Sequence, residues 1–238
     1  MHDANYDPHA DWYAEYVRGP AARYTSDTGH ALADLVGPGP GRCLDIGCGT
    51  GVQAPVLRAL GWTVMGVDLS LGQLRHARIE MPVVAGSAAA LPVTVGSIDL
   101  GAGTLIHTDV GDWAAVVREA RRVLRRSGRF CYVGVHPCFV GPFAERDGDT
   151  VRLHPGYRDR SVAFTGPGLG TGIRPRVGVR HRTLTDLLAA VVDAGLELTR
   201  VNEFGAGTVP RLLGLVGRRA DRGDVVVHPA GGGRCRRA

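Results

Sequence analysis

Between Arg42 and Val135 the chain alternates short apolar runs with stretches of helical period, and this alternation limits the fold more than any other feature. Residues 42–46, 63–67, 81–85, 97–103 and 130–135 read as strands. Helices are expected over 52–60, 70–80 and 111–126. The last carries Trp113, Val116, Val117, Ala120, Val123 and Leu124 on one stripe, and Gly128 should end it. Strands joined through helices require right-handed crossovers, so the strands lie parallel and are buried on both faces. Residues 196–201 and 212–216 read as two closing strands, after a helix opened by the capping box at Thr183 and Asp186. The expected fold is a doubly wound α/β sheet, mostly parallel with an antiparallel closing strand, and with helices on both faces.

The flanks obey other rules. Residues 8–19 open with Pro and close with Gly, as a short helix does, and present Trp12, Tyr13 and Tyr16 on neighbouring faces. These rings either pack on the core or form a lid over a ligand. A second helix runs over 27–36 and stops at the breaker run 37–41. Residues 1–40 thus form a helical cap, and 41–219 form the main domain. Inside that domain, 138–182 is an insertion without clear period, rich in Gly, Pro and Arg. Residues 220–238 read as a loose basic tail, with 225–227 as a candidate short strand.

Composition narrows the chemistry. All 28 basic residues are arginine. With no lysine there is no Walker lysine, no Schiff-base lysine and no kinase lysine. Six arginines from Arg218 onward, against Asp221 and Asp224, carry +4 of the net +5, so the body is nearly neutral. That distribution makes nucleic acid an unlikely partner, although the tail keeps an RNA or protein methylation reading open. The five cysteines form no CxxC pair and no metal-ligand spacing, and Cys43 and Cys131 lie in core-like runs. No apolar run approaches membrane-spanning length, and the polar first residues do not read as a signal peptide, so a cytoplasmic location is expected.

The run CLDIGCGTG at 43–51 follows the first strand and opens the first helix. Gly47 and Gly49 let backbone approach a ligand closely. The dinucleotide fingerprint would need glycine at Val52, and Asp45 would repel a pyrophosphate while attracting an ammonium group. Asp68 ends the second strand, where a carboxylate accepts hydrogen bonds from both ribose hydroxyls. Ammonium, ribose and no phosphate describe S-adenosylmethionine.

Together CLDIGCGTG, MGVDLS, AGSAAALP and EARRVLRRSGRF resemble the class I S-adenosylmethionine-dependent methyltransferases of the small-molecule branch, closely over 40–136. The resemblance implies a Rossmann-like sheet and that cofactor. It implies that Asp45, Gly47 and Gly49 contact the methionine part, Asp68 the ribose, and Leu69 the adenine face. It puts Ser87 and Ala88 at the adenine edge and Leu105 just after strand four. The family often carries Asp where this chain has Ser87, which makes that contact weaker.

The expected acceptor is a small organic molecule, methylated on oxygen or nitrogen. A cofactor-binding protein without methyl transfer is the rival of another class. A base is needed only for a protonated acceptor. His107, after strand four, is the first candidate, and His136, after strand five, the second. Their ordinary pKa suits proton removal near neutrality. Cys138 lies after strand five, away from where a cytosine-methylating nucleophile belongs. Eight arginines against four acidic residues in 138–182 suit an anionic acceptor.

Overall fold

A computed structural model of the chain describes residues 5–220. The expectations for residues beyond Ala220 lie outside the described residues. Helices α1 (Ala10–Arg18) and α2 (Ala22–Val36) precede β1 (Arg42–Ile46). Then follow α3 (Ala54–Ala59), β2 (Thr63–Asp68), α4 (Leu71–Ala77), β3 (Val83–Ala85), β4 (Ile98–Thr104), α5 (Trp113–Val123) and β5 (Leu124–Val135). The remainder holds β6 (Ala144–Asp147), β7 (Thr150–Leu153), β8 (Val162–Ala163), α6 (Arg174–Val177), β9 (Val179–Arg180), α7 (Leu184–Asp193), β10 (Leu196–Phe204) and β11 (Leu212–Arg219).

Seven strands form one sheet in the order β10-β11-β5-β4-β1-β2-β3, and β11 alone runs antiparallel to its neighbours. Strand side chains alternate between two cores. Leu44, Ile46, Phe130 and Tyr132 pack with α5 and α7, whereas Cys43, Cys131 and Val133 pack with α2 and α3. Both faces are therefore dry, as a parallel sheet requires. Winding reverses between β1 and β4, which opens a crevice at their carboxyl ends. No helix among the described residues is long and apolar enough to cross a membrane.

Two expectations change. Helix α5 stops at Val123, and Leu124 already pairs with Ile98 as strand. The core takes Leu124 in either conformation, so its apolar character cannot mark the boundary. The strand bulges over 125–128, where Ser127 takes φ 59° and a Cβ on Gly128 would meet Arg125 O at 2.8 Å. The insertion also has structure: β6 and β7 form a hairpin turning at Gly148, and β8 pairs with β9. These strands are short and mostly exposed, so they show no alternation to read. The box at Thr183 forms in full: its hydroxyl accepts from Asp186 N–H at 3.2 Å, and the Asp186 carboxylate accepts from Thr183 N–H at 2.9 Å.

Arginine does much of the joining. Arg182 donates to the carbonyls of His107, Val110 and Gly111. Arg219 reaches those of Arg121, Arg122 and Leu124 at the end of α5. Arg122 pairs with Glu119 and also caps Leu91 O and Val93 O.

Candidate functional site

The crevice deepens into a cavity of about 400 Å³. Gly47, Gly49, Asp68, Leu69, Ser87, Ala88 and Leu105 all line it. Gly47 and Gly49 hold φ at +70° and +54°. A Cβ on Gly47 would strike Ile106, and one on Gly49 would lie 2.6 Å from Gln73 Oε1. The loop therefore needs glycine for conformation and for space. Asp68 secures the loop as well as facing the cavity: its carboxylate accepts from Gly49 N–H at 2.8 Å and from Ser70 N–H at 2.9 Å. Lone pairs remain for further donors. Leu69 is 40% exposed, an apolar side chain kept open at the cavity wall. The Ser87 hydroxyl accepts from Ala89 N–H at 3.2 Å, leaving its own hydrogen to give.

Asp45 stands apart from these. It lies buried in β1 and does not line the cavity. Burial first, then the charge of Asp68, pushes its carboxyl up to about 7.

The structure corrects both histidines. His107 is 1% exposed and turns away from the cavity, packed between Trp113 and Tyr132 with Nδ1 against the Tyr132 hydroxyl. Burial, with the charges of Arg182 and Arg174, holds its pKa well below the usual histidine value. His136 is equally buried; Nε2 meets Glu203 at 2.7 Å and Nδ1 accepts from Cys138 N–H at 3.2 Å. Neither ring lines the cavity, so neither is placed to take a proton directly from an acceptor there. We expect His107→Ala to lower stability by about 2–4 kcal/mol, through the void and the unpaired tyrosine hydroxyl. Thermal unfolding should show that loss. A pH–rate profile of the variant parallel to that of the parent excludes the base role, and a lost limb would restore it.

Tyr6, which sequence reasoning missed, lines the cavity from the amino-terminal side together with Tyr13, one of the α1 rings expected to pack on the core or cover a ligand. Asp7 docks that segment, accepting from Ser70 Oγ at 2.5 Å and Gly72 N–H at 2.8 Å. Of the three aromatics of α1, only Tyr13 faces the cavity; Trp12 stacks on Tyr16 and carries Arg176 over its other face, 4.4 Å from the ring centre. Asp109 lines the far side, accepting from Tyr6 at 3.1 Å and Arg174 at 2.5 Å. Arg174 also donates to Thr108 at 2.9 Å, tying the insertion to the loop after β4. Leu105 takes φ 61° there, strain of the kind that collects at functional sites.

Two buried polar atoms bear on what suits this cavity. Thr50 Oγ1 and Gln73 Oε1, on residues lining it, have no hydrogen-bond partner. A hydroxyl and an amide oxygen left open beside the glycine loop fit the carboxylate and ammonium of an amino acid. Residues 44–132 match the model of a methyltransferase domain. These residues form a class I S-adenosylmethionine-dependent methyltransferase domain.

Relatives match the same segment by sequence, and solved structures share the fold. A demethylmenaquinone methyltransferase of Corynebacterium kroppenstedtii is 37% identical over 94 residues, 39% of this chain and 41% of that protein. A malonyl-(acyl-carrier protein) O-methyltransferase of Methylococcus capsulatus is 33% identical over 105 residues, 41% of this chain and 38% of that protein. The chain thus matches about two fifths of the length of these curated relatives. A S-adenosylmethionine-dependent methyltransferase from Mesorhizobium loti has the same fold, with TM-score 0.65 at 23% identity over 80% of this chain and 96% of that one. A geranyl diphosphate C-methyltransferase from Streptomyces coelicolor, solved with Mg2+, geranyl diphosphate and S-adenosyl-L-homocysteine, has TM-score 0.62 at 16% identity over 90% of this chain and 84% of that one. The segment shared by sequence is thus the central one, whereas the likeness of fold extends over 80–90% of the chain.

Proposed function

We propose that the chain transfers a methyl group from S-adenosylmethionine to a small organic acceptor, on oxygen or nitrogen, in the cytoplasm and in secondary metabolism. The observation that carries this is the pair of open polar atoms on Thr50 and Gln73 beside the glycine loop and Asp68. When bound, the cofactor supplies an electrophilic methyl, so the chain itself has only to bind, align and exclude water. Gln73 Oε1 accepts from the ammonium, Thr50 Oγ1 donates to the carboxylate, and Asp68 accepts from the ribose. Leu69 and Ala88 cover the adenine, and Ser87 offers its hydrogen to the ring edge.

The acceptor side is the other half of the cavity, between Thr108–Asp112 and Val177–Arg180. Asp109 is committed to Arg174 and to the Tyr6 hydroxyl. Acceptors that are already nucleophilic, amines or ionised oxygens, suit this site best.

Calorimetry with S-adenosylhomocysteine and transfer of labelled methyl to an acceptor panel test the proposal. Binding of NAD without binding of the sulfonium ligand would sink it. Asp45 adds a pH dependence. In the free fold its raised carboxyl contributes stability below its unfolded pKa of about 4, lost as pH rises through about 7. A ligand ammonium favours the ionised form, so binding expels that proton. We expect affinity to rise about tenfold from pH 6 to 8 and the slope to vanish in Asp45→Asn. Proton release read in buffers of differing ionisation enthalpy checks it.

A further inference from the structure

Among the described residues, Arg180 is the one cationic residue that lines the cavity. The carboxylates around the same space are already committed. Asp68 holds two backbone N–H groups, Asp109 holds Arg174 and Tyr6, and Asp112 caps Ala115 N–H at 2.9 Å and meets Arg118 at 3.5 Å. Arg180 has no carboxylate within ion-pair distance among the described residues. Its Nη1 donates to Arg160 O at 3.0 Å, which anchors the group and leaves the Nε–Nη2 edge to spare. That edge is a planar fork matched to a carboxylate.

Its place is fixed by two neighbours. Strand β9 pairs Arg180 with Val162, so the residue is set on a small sheet at the acceptor side of the cavity. Its charge also bears on Arg182, whose guanidinium grips the carbonyls of Val110 and Gly111 at the same edge. Around it, Val110, Val162, Val177 and Val179 supply apolar wall. Four neighbouring arginines of the insertion are already engaged: Arg160 with Asp186, Arg174 with Asp109, Arg176 over Trp12 and Arg182 on backbone.

We infer that the methyl acceptor carries a carboxylate and that Arg180 binds it, while the valines take the apolar body. This rests on the cofactor assignment above. Arg180 is then a specificity-determining residue of the acceptor site. The cofactor carries a carboxylate too, so the test must separate the two.

The experiment uses the full chain saturated with S-adenosylhomocysteine. Small aromatic and aliphatic carboxylic acids, each paired with its primary amide, are screened for the rise they give in melting temperature. Acids should raise it and their amides should not. In Arg180→Gln the acid preference should disappear, with binding of the effective acids weakened about tenfold or more and affinity for S-adenosylhomocysteine within twofold. Arg180→Lys should keep part of the preference, because the charge stays while the fork is lost. The inference is overturned if no acid outdoes its amide or if the preference survives in Arg180→Gln. It is equally overturned if that variant loses affinity for S-adenosylhomocysteine itself, since Arg180 would then read the cofactor. Failure of the parent chain to bind S-adenosylhomocysteine would remove the cofactor assignment instead, and this inference with it.

Discussion

Asp68→Ala should weaken binding of S-adenosylhomocysteine by roughly 2–4 kcal/mol, about 30- to 1000-fold. Two losses add in that variant. The ribose loses a charged acceptor, and the loop loses the carboxylate that holds Gly49 N–H and Ser70 N–H. The fold should survive, because Asp68 sits at a strand tip beside the cavity, outside both apolar clusters. Asp68→Asn should fall between, since its amide oxygen keeps one acceptor and gives up the charge. Calorimetry on both variants with a far-UV spectrum as control decides it. An Asp68→Ala affinity equal to the parent's would remove both roles.

Arg174→Ala should cost about 2–3 kcal/mol of stability and slow methyl transfer at least about tenfold. The Arg174–Asp109 pair is only partly exposed, 21% and 26%, so its loss should cost more than a surface pair and less than one sealed from water. Asp109 would face the cavity without its partner, and residues 174–178 would lose their tie to Thr108. For a chain of this size the melting temperature should fall by about 4–10 °C. Affinity for S-adenosylhomocysteine should change little, because Gly49 and Asp68 stay in place. An unchanged melting temperature with full turnover would show that this pair is idle.

The sheet was legible because its information is local and periodic. The stripe from Trp113 to Val123 and the glycine run at 47–51 each specify their element within a dozen residues. The same kind of run held the expected wall residues, from Gly47 and Gly49 to Asp68 and Ser87, though Asp45 does not line the cavity. What stayed hidden was long-range. Tyr6 meets Asp109, 103 positions on, and Arg174 meets Thr108 across 66. No period links such residues. The histidines misled for a related reason: His107 lies between Ile106 and Thr108, which both line the cavity, yet the tight turn after β4 points its ring the other way. Position along the chain placed it near the site without saying which side it faced.

The guanidinium groups that grip several carbonyls have a consequence for how this chain tolerates change. Arg182 bonds three carbonyls spread over five residues, and Arg219 bonds three at the end of α5. Arg182 does so from two nitrogens, Nη1 to His107 and Nη2 to Val110 and Gly111, whereas an ammonium offers its hydrogens from one atom and cannot span that set. Exchanging arginine for lysine, usually counted the mildest of replacements, is a disruptive one at Arg182. A lysine-free chain can thus persist for a reason beyond base composition: once its loops are stitched by forks, the nearest chemical substitute no longer fits the stitches.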